Sequence, residues 1–255
     1  MKKRFLLCFV CALLAASNAY GGDVITLRAD IWEPYNAEPE SAKPGYMIEV
    51  VKAIFTRSGY TVDYQCNGWT WERSIEEAKQ GRIDGIVGAA VDDAPDFVFP
   101  EETFINQQMT FFVKKGNTWR YKGIASLENI KLGVISGYAY ADEVDEYIEK
   151  NSGKENIQAI KNANALELNI KKLDAGRIDA TIEDASVFAM KAASMGMSGK
   201  FEEAGVVGEP DNITIAFSPV KKSSQKNAEV LSNGLKEMRA SGELKKILDK
   251  YGLKE

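Results

Sequence analysis

The segment Ile75-x-x-Ala78-x-x-Gly81-Arg82-Ile83-Asp84 recurs 95 residues later as Ile170-x-x-Leu173-x-x-Gly176-Arg177-Ile178-Asp179, and this repeat limits the fold more than any other feature of the chain. Each copy reads as the end of an amphipathic helix, a glycine suited to the left-handed C-terminal cap, and the start of a buried strand. Solenoid units run to about 20–50 residues, so this spacing is far too long for one. Two copies in one frame predict two lobes of similar design instead. Short apolar runs alternate with helical patterns along the rest of the chain, which favours an α/β architecture over a sandwich or a bundle.

Around the first copy, residues 24–29 read as a strand, 47–58 as a helix stopped by Gly59, and 60–65 as a second strand. Thr70 then caps a helix with Trp71, Ile75 and Ala78 on one face, and 83–90 follows as a buried strand. The apolar runs 109–113 and 213–217 flank the second copy and are expected to be the two crossings between lobes. After them, Leu231, Leu235 and Met238, then Leu244, Ile247, Leu248 and Tyr251, mark two amphipathic helices returning to the first lobe. The expected division is 22–112 plus 214–255 for lobe 1 and 113–213 for lobe 2. A chain that leaves one lobe, builds another and returns has a double hinge, and a ligand cleft lies naturally at such an interface.

The first 21 residues stand apart from this pattern. Lys2-Lys3-Arg4, an apolar run over 5–16 and small residues at 17, 19 and 21 have the layout of a secretory signal peptide, with cleavage after Ala19 or Gly21. Neither Cys8 nor Cys11 follows the small residue that lipoprotein processing favours, so a freely soluble exported protein is expected. Removing 1–21 leaves 29 basic against 37 acidic side chains, a net charge of −8. Such an acidic surface argues against nucleic acid as partner. Cys66 is left as the lone cysteine, so no intramolecular disulfide can form. The chain has no histidine, which removes Ser-His and Cys-His nucleophile pairs and His-ligated metals. No cofactor and no metal is expected, because Asp92, Asp93 and Asp96 lack the fixed spacing of a metal motif.

Further motifs carry a resemblance over essentially the whole mature chain. They are Trp32-Glu33-Pro34-Tyr35, Gly45-Tyr46-Met47-Ile48-Glu49-Val50, Trp69-Thr70-Trp71, the two Gly-Arg-Ile-Asp segments, Phe97-Val98-Phe99-Pro100 and Leu132-Gly133-Val134-Ile135-Ser136-Gly137. In this order and spacing they resemble the periplasmic solute-binding proteins of ABC transporters, in the polar amino-acid class, the bacterial extracellular solute-binding proteins of family 3. The resemblance implies a two-lobed type 2 periplasmic binding fold and a monomer that delivers a small-molecule ligand to a membrane permease.

Trp32, Tyr35, Trp69 and Trp71 sit where loops follow strands or open helices, the places where ligand sites collect in open α/β sheets. In similar proteins the matching aromatics stack on the ligand, which implies that role for Trp32 and Trp71; the alternative is that both are core residues. Asp184 falls just past a strand's carboxyl end, and the resemblance implies that it holds a ligand ammonium group, while the plain reading is a helix cap. The departure from the family lies in the first lobe. Relatives carry an Arg that clamps the ligand carboxylate, and this chain instead reads Val91-Asp92-Asp93-Ala94-Pro95-Asp96-Phe97. Arg73 is the nearest replacement clamp, with a solvated helix face as its other reading. In the second lobe, Tyr138 replaces the common Thr and is positioned to narrow the pocket, while amides opening a helix over 139–150 can receive an anion. Asp84 and Asp179 stand at strand starts and read as structural, and Lys221-Lys222 as a solvated face.

These features point to a non-catalytic binding protein that closes two lobes on a small polar, amine-bearing solute, with a preference for cations. The alternative is an exported enzyme on the same fold, since a few relatives dehydrate cyclic amino-acid precursors or cleave peptidoglycan. It would need a carboxyl group with a raised pKa, supplied by Glu33, Glu72 or Glu183. A detached ligand-sensing lobe pair is a third possibility.

Overall fold

The structure, a computed structural model, describes residues 23–253; the expected signal peptide lies outside them. Two five-stranded mixed sheets form the two lobes. The first contains β1 (Val24–Arg28), β2 (Thr61–Gln65), β3 (Gly85–Ala89), β4 (Ile105–Gln107) and β10 (Asp211–Phe217), in the order β2-β1-β3-β10-β4. The second contains β5 (Met109–Lys114), β6 (Leu132–Ile135), β7 (Ile157–Ile160), β8 (Ala180–Asp184) and β9 (Phe201–Val206), in the order β7-β6-β8-β5-β9. Replacing β1, β2, β3, β10 and β4 by β6, β7, β8, β5 and β9 turns one order into the other. In each sheet the first three strands run parallel, and the fourth, β10 or β5, is antiparallel to both of its neighbours.

The repeat of the sequence is the joint between α2 (Trp71–Lys79) and β3 in one lobe and between α4 (Ala165–Asp174) and β8 in the other. Its aspartates do the same work twice. The Asp84 carboxylate accepts the Thr26 amide at 2.8 Å while the Asp84 amide donates to the Thr26 carbonyl at 2.9 Å. Asp179 repeats this with the Lys131 amide and carbonyl, both at 2.7 Å. Each Asp thus fastens the entry of one strand to its parallel neighbour. Lys221 is not merely solvated: it pairs with Asp84 at 2.7 Å, and together with the Thr26 hydrogen bonds this holds the Asp84 carboxyl below its ordinary range against the cost of burial.

Helices cover the sheets where apolar residues recur on one face. α1 (Tyr46–Arg57) buries Met47, Val50, Val51, Ile54 and Phe55, and the final helices α6 (Ser224–Ser241) and α7 (Glu243–Lys250) pack Leu231, Leu235, Leu244 and Leu248 into the same core. The tail therefore returns to the first lobe. The second lobe adds α3 (Asp142–Lys150), which starts at Asp142 and not at residue 139, and α5 (Ala185–Ser194).

The change of sheet falls at Gln108 and between Val206 and Asp211. Residues 109–112, assigned from sequence to lobe 1, lie in the second sheet, and 211–213 lie in the first. The physical reason is that each apolar run is a whole interior strand, with Phe111, Val113, Ile213 and Ile215 almost fully buried. The polar segments Gln107-Gln108 and Gly208-Glu209-Pro210 make the crossings.

Candidate functional site

The carboxyl ends of β1, β3, β6 and β8 face one another across the lobes, and their loops meet. Trp32 follows β1 and lies over β3, where Gly88 (φ +89°) makes room: a Cβ there would stand 3.3 Å from the Trp32 ring. Trp32 also stacks on Tyr35 at 4.3 Å between centroids. Its indole Nε1 donates across the cleft to Glu183 Oε1 at 2.8 Å. In return, the Tyr138 hydroxyl of the second lobe donates to Asp30 Oδ2 of the first at 2.7 Å, and its ring meets Trp71 edge-on at 6.2 Å. Ser136 donates to Glu72 at 2.6 Å, and Lys161 pairs with the same carboxylate, which holds Glu72 low. The lobes are closed on one another by these contacts.

Between them lies a cavity bordered by Asp30, Trp32, Trp71, Asp93, Gln107 and Tyr138. It leaves only about 20 Å³ to a water centre, about one solvent molecule's worth, because Tyr138 and Trp71 occupy the space. A neighbouring cavity, bordered by Glu183 and Lys191, shares Asp30, Trp32 and Tyr138 with the first. Asp30, Trp32 and Tyr138 thus stand between the two.

The charges around the central cavity are one-sided. No Lys or Arg lines the central cavity. Burial pushes the Asp30 carboxyl up to about 6 and that of Asp93 to about 7. Glu183, at 0% exposure, is pushed up to about 8 by burial, with Asp184 and Asp30 adding repulsion. Its Oε1 also accepts the Asp184 amide at 3.0 Å, but Oε2 is buried without a hydrogen-bond partner among the described residues. Such an arrangement suits a bound cation, which would compensate the desolvated carboxylates and supply the missing donors.

The structure gathers Trp32, Trp71 and Tyr138 from the sequence-derived set. Asp184 is 4% exposed and serves the start of α5: its Oδ1 accepts the amides of Ser186 at 2.9 Å and Val187 at 3.1 Å. Asp184 thus caps α5, a role that one carboxylate can combine with holding a ligand ammonium, and Glu183 beside it faces the cleft. Arg73 is not brought to the cavity. It is exposed and stacks its guanidinium on the Trp69 ring at 4.0 Å, because two residues beyond Trp71 is about 200° around the helix, the opposite face.

Asp93 stands in the first-lobe segment where the resemblance leads a cation to be expected. It accepts the Ala90 amide at 2.8 Å, and at 3.3 Å both the Trp71 indole and the Ala139 amide of the opposite lobe. An amide of the loop expected to receive an anion thus receives this protein's own carboxylate. Asp96 turns away to Lys79 at 3.7 Å, so Asp92, Asp93 and Asp96 do not converge on one point. Sequence reasoning missed Asp30 as a cleft residue, although its position two residues past β1 was a usable signal. Of the three glutamates weighed as acids, Glu33 lies 3.8 Å from Lys191, Glu72 is ion-paired, and Glu183 is shifted upward by burial.

Residues 25–254 match the bacterial extracellular solute-binding proteins, family 3. A probable histidine-binding protein of Neisseria gonorrhoeae is 23% identical over 276 residues, covering all of this chain and 97% of that protein. An ancestral arginine-binding protein bound to glutamine superposes with a TM-score of 0.71 at 20% identity, over 89% of this chain and 97% of that one. A histidine kinase sensor domain with similarity to periplasmic binding proteins gives 0.70 at 19% identity, over 89% and 95%. With its two matching sheets, interlobe cleft and near full-length family match, the chain belongs to the bacterial extracellular solute-binding proteins of family 3.

Proposed function

We propose that the protein captures a small cationic, amine-bearing solute, a basic amino acid or a related amine, between its lobes and delivers it to the membrane permease of an ABC transporter. The observation that carries this reading is the set of three buried or half-buried carboxylates, Asp30, Asp93 and Glu183, facing aromatic rings with no cation lining the central cavity. Trp32, Trp71 and Tyr138 provide rings against which an ammonium or guanidinium group and its methylenes can pack. Arginine- and histidine-binding relatives fit this charge preference. The mature protein starts after Ala19 or Gly21 and works in the periplasm as a monomer. Its lobes turn about Gln108 and the segment 207–210.

The protein acts by binding and not by turnover. Glu183 favours one second reading, since a carboxyl group titrating near neutrality in a dry pocket is equipped to act as a general acid. Mass spectrometry of the ligand retained by gently purified protein separates the cases. A cationic amine recovered unchanged and in stoichiometric amount is the expected result. An acidic amino acid, or conversion of the bound compound on incubation, would overturn it.

A further inference from the structure

The central cavity has a neighbour on the hinge side. Gln107, Met109 and Ala139 line both the central cavity and a chamber of about 290 Å³ bounded by the loop after β3, the start of α3 and the second crossing. Five carboxylates border this chamber: Asp92, Asp142, Asp145, Glu209 and Asp211. None of its lining residues is Lys or Arg, and among the described residues none of the five has an ion-pair partner. Burial pushes the Asp145 carboxyl up to about 6, with Asp142 and Asp92 adding repulsion, and raises that of Asp211, with Asp92 adding to it.

Acidic residues alone do not make a site. The independent observation is Gln107, which is 7% exposed and whose Oε1 is buried with no hydrogen-bond donor among the described residues. Its backbone pairs with Asp211 in the sheet, so the residue is fixed at the passage between the two spaces. A buried amide oxygen left without a donor is costly, and a ligand N–H passing this point would satisfy it. Met109 offers beside it an adaptable apolar surface suited to methylene groups.

Resting on the cation-binding reading above, we propose that the ligand is an extended aliphatic di- or polyamine whose second ammonium group occupies the acidic chamber. The first ammonium lies among Asp30, Asp93 and the aromatic rings, the chain runs past Gln107 and Met109, and the far ammonium meets Asp145, Glu209 and Asp211. A basic amino acid is a poorer fit to the whole passage, because its carboxylate would face acids at either end.

The test is calorimetry on the mature protein with 1-aminobutane, 1,4-diaminobutane and spermidine, repeated on the Glu209→Gln/Asp211→Asn and Gln107→Leu variants, whose folding is checked by thermal melts. The diamine or triamine should bind at least about 100-fold more tightly than the monoamine, as a second desolvated charge contact allows. Neutralising the chamber should remove most of that gap and leave the monoamine within about threefold. Gln107→Leu, which leaves every carboxylate in place, should weaken the diamine at least about fivefold more than it weakens the monoamine. Equal affinity for mono- and diamine, or a gap that survives in both variants, would overturn this inference and leave the cation-binding reading standing. Failure of all three amines to bind, with lysine and arginine also inert, would remove both.

Discussion

Glu183→Gln is the most informative single change, because it removes the ionisation of Glu183 while keeping the shape of the side chain. The folded carboxyl titrates at about 8 against an ordinary 4.5, so folding takes up a proton between these limits. Stability contributed by the protonated group is complete below pH 4.5 and is lost as pH rises toward 8. Raising a carboxyl's pKa by one is worth about 1.4 kcal/mol, which sets a ceiling of about 5 kcal/mol; opening of the lobes to rehydrate the carboxylate will reduce it. Asp30 and Asp93, pushed up to about 6 and about 7, act with the same sign. Asp84 and Glu72, both held low, complete their titration below this window. Ligand-free wild-type protein should therefore lose thermal stability between about pH 5 and 8.5, and the Glu183→Gln variant should show a clearly shallower slope. The slope is the readout, since the new amide is itself imperfectly satisfied beside Trp32. A wild-type melting temperature that is flat or rises over this range, or identical slopes in the two proteins, would refute the placement of Glu183 as a desolvated carboxyl.

Gly137 has φ +82°, and a Cβ there would stand 2.4 Å from Glu72 Cγ of the opposite lobe. Gly137→Ala should leave both lobes folded but hinder their closure, weakening ligand affinity at least about tenfold and enlarging the radius of gyration by X-ray scattering. Trp71→Ala should cost at least about 1 kcal/mol of binding, measured by fluorescence titration, through loss of ring contact with the ligand; an unchanged affinity in the folded variant would return Trp71 to a purely structural role. Arg73→Ala should leave affinity unchanged in the same assay, because the guanidinium packs on Trp69 outside the cavity. A large loss would mean that Arg73 swings inward to clamp a carboxylate.

The parts of this protein that were legible in its sequence are those fixed locally. The repeated helix, Gly and Asp segment located two equivalent helix-to-strand joints because capping and strand burial depend on a few neighbouring residues. Thr70 and Asp184 could be recognised as caps for the same reason. The cleft residues depend on partners far along the chain. Glu183 is set by Trp32, 151 residues away, and Asp30 by Tyr138, 108 residues away, distances over which no periodicity speaks. Arg73 is the instructive failure: it is close to Trp71 in sequence, but helix geometry alone was enough to send it to the other face. The sheet boundaries lie a few residues from the expected lobe boundaries because 109–113 and 213–217, read as strands that also make the crossings, are whole interior strands, and the crossings fall in the polar segments before them.

Whether the cleft is built for cations is decided by titrating the mature protein at neutral pH with lysine, arginine, 1,4-diaminobutane, glutamine and glutamate in a calorimeter. Glutamate would bring a carboxylate against the ionised Asp30 and the partly ionised Asp93, and an uncompensated buried charge costs several kcal/mol. At least one cation should therefore bind at least about 100-fold more tightly than glutamate. Glutamate binding as tightly as the best cation would mean that the buried carboxylates do not select the ligand.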